Sequence, residues 1–148
     1  MSVKAVEDAL VQRLRDRVEA AGLVQMVYSH DDYATVAEVN MVCPSLAVVY
    51  QGYGVGGQIK PGHIQTIEFN WILVINVASA FRTDTGEGKR DAVSPIFDAT
   101  LEAVLGFRPI PKFQPVELQP APGAALSDAG FGYYPIAIST AATYRGKP

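Results

Sequence analysis

The sequence predicts an α+β layer fold: an antiparallel or mixed sheet of about four strands with two main helices packed on one face. Three observations lead there. Near the N-terminus apolar residues recur at steps of three and four, the period of a helix. Over 63–79, and again over 132–144, they alternate with period two, the signature of a strand. A second helical period lies between those two segments. With 148 residues the expectation is a single domain, 1–148. A chain of this size buries about two-thirds of its unfolded surface, enough to fold without disulfides or metals.

Each element has its own reason. Val3, Val6, Leu10, Leu14, Val18 and Ala21 form one apolar stripe among charged residues. Ser2 can cap its start by accepting an orphan amide proton, and Gly22 can end it in a left-handed conformation. Residues 23–44 are ambiguous: 23–28 suits a short strand, and Asp31 or Asp32 can cap a brief helical stretch to about Asn40. Pro44 breaks the chain, and 45–51 reads as a strand with Leu46, Val48 and Tyr50 on one face. The stretch 51–62 holds five of the thirteen glycines and reads as a flexible, exposed loop.

The segment 63–79 places Ile67, Phe69, Trp71, Leu73, Ile75 and Val77 on one face, and Thr66, Glu68, Asn70, Ile72, Val74 and Asn76 on the other. Sixteen extended residues reach roughly 50 Å, against a globule diameter of roughly 40 Å. Either the strand bends, at a bulge near Asn70, or its first half overhangs the body and needs a partner surface. A polar loop follows over 82–89. The second helix is expected to begin at Ser94-Pro95, or earlier with Asp91 as its cap. Its stripe is Phe97, Leu101, Val104 and Leu105, and Gly106 stops it. Five prolines between 108 and 122 leave room for a short edge strand at 116–118. In the last strand, 132–144, Pro135 cannot donate to a ladder and marks an edge or an unpaired start.

Composition excludes several classes of function. Apolar residues are 49% and charged residues 18%, with a mean hydropathy of +0.13, too apolar for a disordered chain. The longest apolar stretch, 71–78, contains Asn76 and is far short of the ~20 residues a membrane helix needs. Twelve basic against fifteen acidic residues give a net charge of −3, a poor match to phosphate gripping. The lone Cys43 cannot form an internal disulfide. No apolar leader follows Met1-Ser2-Val3-Lys4, so residence in the cytoplasm where it is made is expected.

No arrangement of catalytic residues stands out. Gly52, Gly54 and Gly57 spell G-x-G-x-x-G, but Gln58-Ile59-Lys60-Pro61-Gly62 follows in place of the helix a pyrophosphate needs. Gly86-Glu87-Gly88-Lys89-Arg90 has the wrong spacing for a phosphate loop. His30, with Asp31 and Asp32, reads as turn polarity before metal binding. Cys43 before Pro44 reads as a small buried hydrophobe. Neither catalytic, cofactor-binding nor metal-ligating residues are expected, and no cofactor. Tyr53, in the glycine-rich stretch, has little of its own chain to pack on and is the best interface candidate.

The layout as a whole resembles a known family. The helix Val6-Glu-Asp-Ala-Leu-Val-Gln-Arg-Leu is followed by Pro44-Ser-Leu-Ala-Val-Val-Tyr. A glycine-rich insertion leads into Gln65-Thr-Ile-Glu-Phe-Asn-Trp-Ile-Leu-Val-Ile-Asn-Val-Ala. A helix ending Ala103-Val-Leu-Gly-Phe-Arg-Pro precedes the final Tyr134-Pro-Ile-Ala-Ile-Ser-Thr-Ala-Ala-Thr-Tyr. Over nearly its full length this resembles the tail terminator proteins of long-tailed bacteriophages, particularly the Mu-like group. The resemblance implies a non-enzymatic subunit that forms a ring, typically a hexamer. That ring stops the tail tube at its proper length and joins the head–neck complex, with DNA passing through the lumen. Its partners would be its own copies, the tail tube protein and a head–neck connector, and no membrane. Its place would be the virion tail at the head–tail junction, after assembly in the host cytoplasm. The expected docking residues are Tyr53, Gly54, Val55, Gln58 and Lys60 in one loop and Arg82, Lys89, Arg90 and Arg108 beyond it. Deleting 54–60 would then spare the fold and abolish capping. A head–tail connector or neck protein is the alternative. A third reading is a small α+β ligand-binding protein or enzyme with a pocket built from Glu68, Asn70 and His63.

Overall fold

The computed structural model describes residues 2–30, 43–60, 63–78, 87–126 and 131–147. Helix α1 spans Val3–Leu14 and continues as a π-helical turn over Arg15–Glu19. Strands β1 (Met26–His30), β2 (Ser45–Lys60) and β3 (Ile64–Ala78) follow. Helix α2 spans Glu87–Val104, and β4 (Glu117–Gln119), β5 (Ala125–Leu126) and β6 (Phe131–Arg145) complete the order. No described helix is long and apolar enough to cross a membrane.

The sheet order is β1-β2-β3-β6-β4, with β5 pairing β6 off that path. β1 runs parallel to β2 and every other pairing is antiparallel, so the sheet is mixed. The path has five strands in place of the expected four or so. The excess comes from short pieces at the edge, where prolines interrupt pairing. Phe113 bridges Ala142, β4 lies against 137–139 and β5 against 132–133. Pro135 pairs with Val74 of β3 on one side, and on the other it falls between β4 and β5, where no strand among the described residues lies against β6.

Both helices contribute to one face, as the alternation of β3 requires. Val6, Leu10, Leu14 and Val18 of the first helix and Val93, Ile96, Ala103 and Val104 of the second are buried against Leu46, Val48, Trp71, Leu73, Ile75, Ile136 and Ile138. Each Val, Leu or Ile side chain among them contributes about 1.5–3 kcal/mol relative to leaving it in water. Ala47, Val49, Ile72, Val74 and Tyr133 form a smaller cluster on the opposite face. The Ser2 hydroxyl accepts from the Ala5 N–H at 3.1 Å and caps α1 as expected. Gly22 and Gly106 have φ +79° and +74° just beyond the two helices, a conformation that costs a residue with a Cβ and serves to stop a helix.

Three expectations are corrected. The stretch 51–60 belongs to β2 and is no loop. Its glycines hid the strand, yet Tyr53 and Val55 keep the alternation. The second helix begins at Glu87, so Pro95 lies inside it and Lys89 belongs to the helix. Pro95 removes one internal hydrogen bond, but Glu87–Arg90 extends the helix on its near side. Of the stripe expected on α2, Val104 is buried, whereas Phe97 and Leu105 are exposed. The buried positions lie one step back, at Val93, Ile96 and Ala103.

Candidate interaction surface

The feature that stands apart from the body is built by one irregularity. Tyr50 pairs with Trp71, but the next pair is Gly52 with Asn70, leaving Gln51 as an extra residue. Gly52 sits at φ +98°, a conformation open to glycine and strained for other residues. A one-residue bulge moves the following side chains to the opposite face. Before it Leu46, Val48 and Tyr50 lie on the helix side, and after it Tyr53 and Val55 take that side. The bulge expected near Asn70 within the long strand is not there, since β3 keeps an unbroken register with β6 from Ile64↔Arg145 to Ala78↔Phe131; the irregularity lies opposite, in β2.

Beyond the bulge, β2, β3 and β6 form a three-stranded arm. On its helix side the rings run in sequence. Tyr50 lies 5.2 Å from Trp71, Trp71 6.4 Å from Phe69, and Phe69 6.3 Å from Tyr53 and 6.1 Å from Tyr144. Phe113, fully buried, closes this run at 5.7 Å from Phe69. Burial then fades along the arm. Phe69 is 6% exposed, Ile67 and Tyr144 are half-buried, and Tyr53 and Val55 are 65% and 67% exposed. Burial pushes the Tyr50 phenol up, so that ring stays uncharged at neutral pH.

The other side of the arm is small and polar. Gly52, Gly54 and Thr66 share it with Glu68, Asn70, Ser139, Ala141 and Thr143. A Cβ at Gly56 would lie 3.3–3.4 Å from Thr66. Gln65 Nε2 donates to the Gly56 carbonyl at 3.0 Å and ties the two strands together. Glu68 and Asn70 thus stand on a sheet face beside glycines, and His63 is exposed at the tip of the hairpin, just before β3. The structure does not gather these three residues into a pocket. A cleft of ≈ 240 Å³ lies elsewhere, lined by Leu23, Cys43, Pro44, Val77, Pro95 and Ile96 among others. It adjoins the far end of β3, about 30 Å along the strand from Glu68. Burial raises the Cys43 thiol pKa, which keeps it protonated and a weak nucleophile.

The two edges of the sheet differ. On β1, Glu19 Oε1 accepts the Val27 N–H at 2.8 Å, and Arg15 donates through Nε and Nη2 to the Val27 carbonyl at 3.2 and 3.1 Å. Both residues belong to the π-helical turn, whose wider spacing brings them over the strand. This occupies the backbone groups of Val27, where a further strand would pair. β1 covers β2 only from Ser45 to Val49, so beyond it the outer edge of the arm has no partner strand among the described residues.

The expected docking residues fall in two groups. Tyr53, Gly54 and Val55 lie on the arm, and Gln58 and Lys60 occupy its outer stretch in β2. Arg108 is exposed just past α2, with Nη1 donating to the Pro111 carbonyl at 3.5 Å. Lys89 and Arg90 lie in the first turns of α2, away from the hairpin in sequence and element. Arg82 lies outside the described residues, as do Asp31, Asp32 and the brief helical stretch expected there. Gly52, Gly54 and Gly57 lie within β2, and β3 follows, so no helix opens on the G-x-G-x-x-G run. Among the described residues no group of three or more His, Cys, Asp or Glu is placed to hold a metal. Ile67 and Tyr144 belong to the surface as well: Ile67 lies in the first half of the long strand, the part expected to need a partner surface if it overhangs the body, and Tyr144 lies on the same side in the alternation of β6.

An exposed aromatic and aliphatic arm on a two-layer body suits a protein that recognises other proteins by shape. The family model described as phage tail terminator protein matches residues 4–147, nearly the whole chain. The chain belongs to that family: it is a structural protein of the phage tail, acts with other tail components, and is located in the virion tail. Such proteins are not normally enzymes. A search of curated proteins found no match.

Proposed function

We propose that residues 1–148 act as one domain that assembles into a ring, typically a hexamer, on the last ring of the tail tube. The ring ends tube polymerisation and forms the tail side of the head–tail joint, after assembly in the host cytoplasm. Membership of the Mu-like group is part of this reading. The observation that carries it is the arm. Tyr53 and Val55 lie exposed on a strand pair whose apolar row continues into the core. Fully burying a side chain such as Val55 contributes about 1.5–3 kcal/mol, so covering the arm on a tube or neighbour favours assembly. Gln58, Lys60, Arg108, Lys89, Arg90 and Arg82 are rim positions in this reading. The net charge of −3 suits a lumen that DNA traverses without sticking.

The test adds the full chain to polymerising tail tube protein and measures tube length by electron microscopy. Tubes should stop short and bear a cap, and Tyr53→Asp should abolish both. Deleting 54–60 is a poor probe, because it strips 64–68 of a paired strand. Unchanged tube lengths with the wild-type chain would overturn the proposal. Binding to the connector in place of the tube would replace it with the neck reading.

A further inference from the structure

The helix α2 carries a second apolar stripe that the core uses only through its half-buried middle residue, Leu101. Phe97, Leu101 and Leu105 stand at i, i+4 and i+8, on one side of the helix. Phe97 is 37% and Leu105 44% exposed, and Leu101 is half-buried. Beside it on the solvent face lie Asp91, Asp98 and Glu102, all exposed acids. The arm has the opposite character. Its apolar row ends in Tyr53 and Val55, and the exposed charges near its root and tip are mostly basic, Lys112, Arg145 and Lys147 against the single acid Glu117. Both surfaces remain open in the single chain, so neither covers the other.

We infer that the arm of one copy docks on the α2 stripe of the next copy, Tyr53 and Val55 covering Phe97 and Leu105. Charge selects this pairing over the alternatives. Two arms face to face would bring together the net positive surroundings of each copy, and two stripes would bring three acids from each together. Arm on stripe sets basic against acidic around an apolar centre. The contact joins two different surfaces, so it is head-to-tail and propagates from copy to copy until it closes. That closure rests on the ring reading given above; the contact itself does not require it.

The experiment uses complementation. Val55→Asp spoils the arm and leaves the stripe; Phe97→Asp spoils the stripe and leaves the arm. By analytical ultracentrifugation of the full chain each variant alone should associate at least about tenfold more weakly than wild type. An equimolar mixture should give one-to-one pairs, because each supplies the surface the other lacks. Association of either variant at wild-type strength overturns the inference, and so does a mixture that stays monomeric. A second readout covers a wild-type chain that assembles only on tubes, or a variant that fails to fold. In a Cys43→Ser chain carrying Val55→Cys and Phe97→Cys, a short bismaleimide should link neighbouring copies, free or seated on tube ends. No cross-link in either setting overturns the inference. Tube length is scored separately: capping without cross-linking sinks this contact alone, whereas absent capping with cross-linking sinks the terminator reading alone.

Discussion

Glu19 Oε1 lies 2.8 Å from the Val27 backbone nitrogen and accepts its proton, while Arg15 donates to the carbonyl of the same residue. A side-chain pair thus occupies the place of a neighbouring strand. Residue 19 reaches it because the helix widens to a π turn, with the Ala20 N–H donating to the Arg15 carbonyl at 2.8 Å. Glu19→Ala should cost about 1–2 kcal/mol, the cost of a partly buried N–H left without its partner. It should also make the chain sticky at the β1 edge. The urea midpoint and static light scattering read the two effects; an unchanged midpoint would show that water replaces the carboxylate at no cost.

Gly52 and Gly54 are two residues apart in one strand and should respond differently to alanine. Gly52 has φ +98°, while Gly54 has no positive φ and nothing within 4 Å of an added Cβ. Gly52→Ala should cost about 1–2 kcal/mol of backbone strain. Gly54→Ala should stay within about 0.5 kcal/mol of wild type. Equal stabilities in denaturant melts would mean that the bulge is not held at Gly52.

Phe113 pins the proline-rich segment to the sheet. It is fully buried, bridges Ala142 and lies 5.7 Å from Phe69. Phe113→Ala should destabilise by about 3–5 kcal/mol through lost burial and the cavity left behind. Limited trypsin digestion should then cut faster after Lys112, which precedes it. A cleavage rate unchanged from wild type would assign the anchoring to other contacts.

Stability at alkaline pH should carry a contribution from Tyr28. Burial, partly offset by the hydrogen bond from Asn76 Nδ2 at 3.3 Å, pushes its phenol up to about 12. The ordinary value is near 10, so between these two pH values the unfolded chain loses the proton first. The neutral phenol's contribution is therefore complete below about pH 10 and falls away as pH rises toward 12. The Tyr50 phenol and the Lys4 ammonium are also raised, so the measurement is a difference. Urea unfolding of Tyr28→Phe should show a shallower loss across this window than wild type. Parallel curves would remove Tyr28 as the cause.

The elements legible in the sequence were those whose physical cause is local. The Ser2 cap, the Gly22 and Gly106 stops, the stripe of α1 and the two faces of β3 all follow from hydrogen-bond geometry and side-chain period over a few residues. So did Tyr53 as an exposed aromatic. The G-x-G-x-x-G run misled only about backbone shape. Glycines at 52, 54 and 56 look like loop, but the long β3 beside them supplies the pairing partner that makes them strand.

What the tertiary structure alone decided involves two segments at a time. Which residues of α2 are buried depended on how the helix lies on the sheet, so Phe97 and Leu105 stayed outside while Val93 and Ile96 went in. The helix start at Glu87 likewise lay beyond a proline that local rules treat as a boundary. The clamp of Glu19 and Arg15 on Val27 joins residues eight and twelve positions apart across a turn. Alternation within one strand states that a face is apolar; only the extent of the neighbouring layer states where along that face the covering ends. That end point, between Phe69 and Val55, is what leaves this phage tail protein an arm to offer.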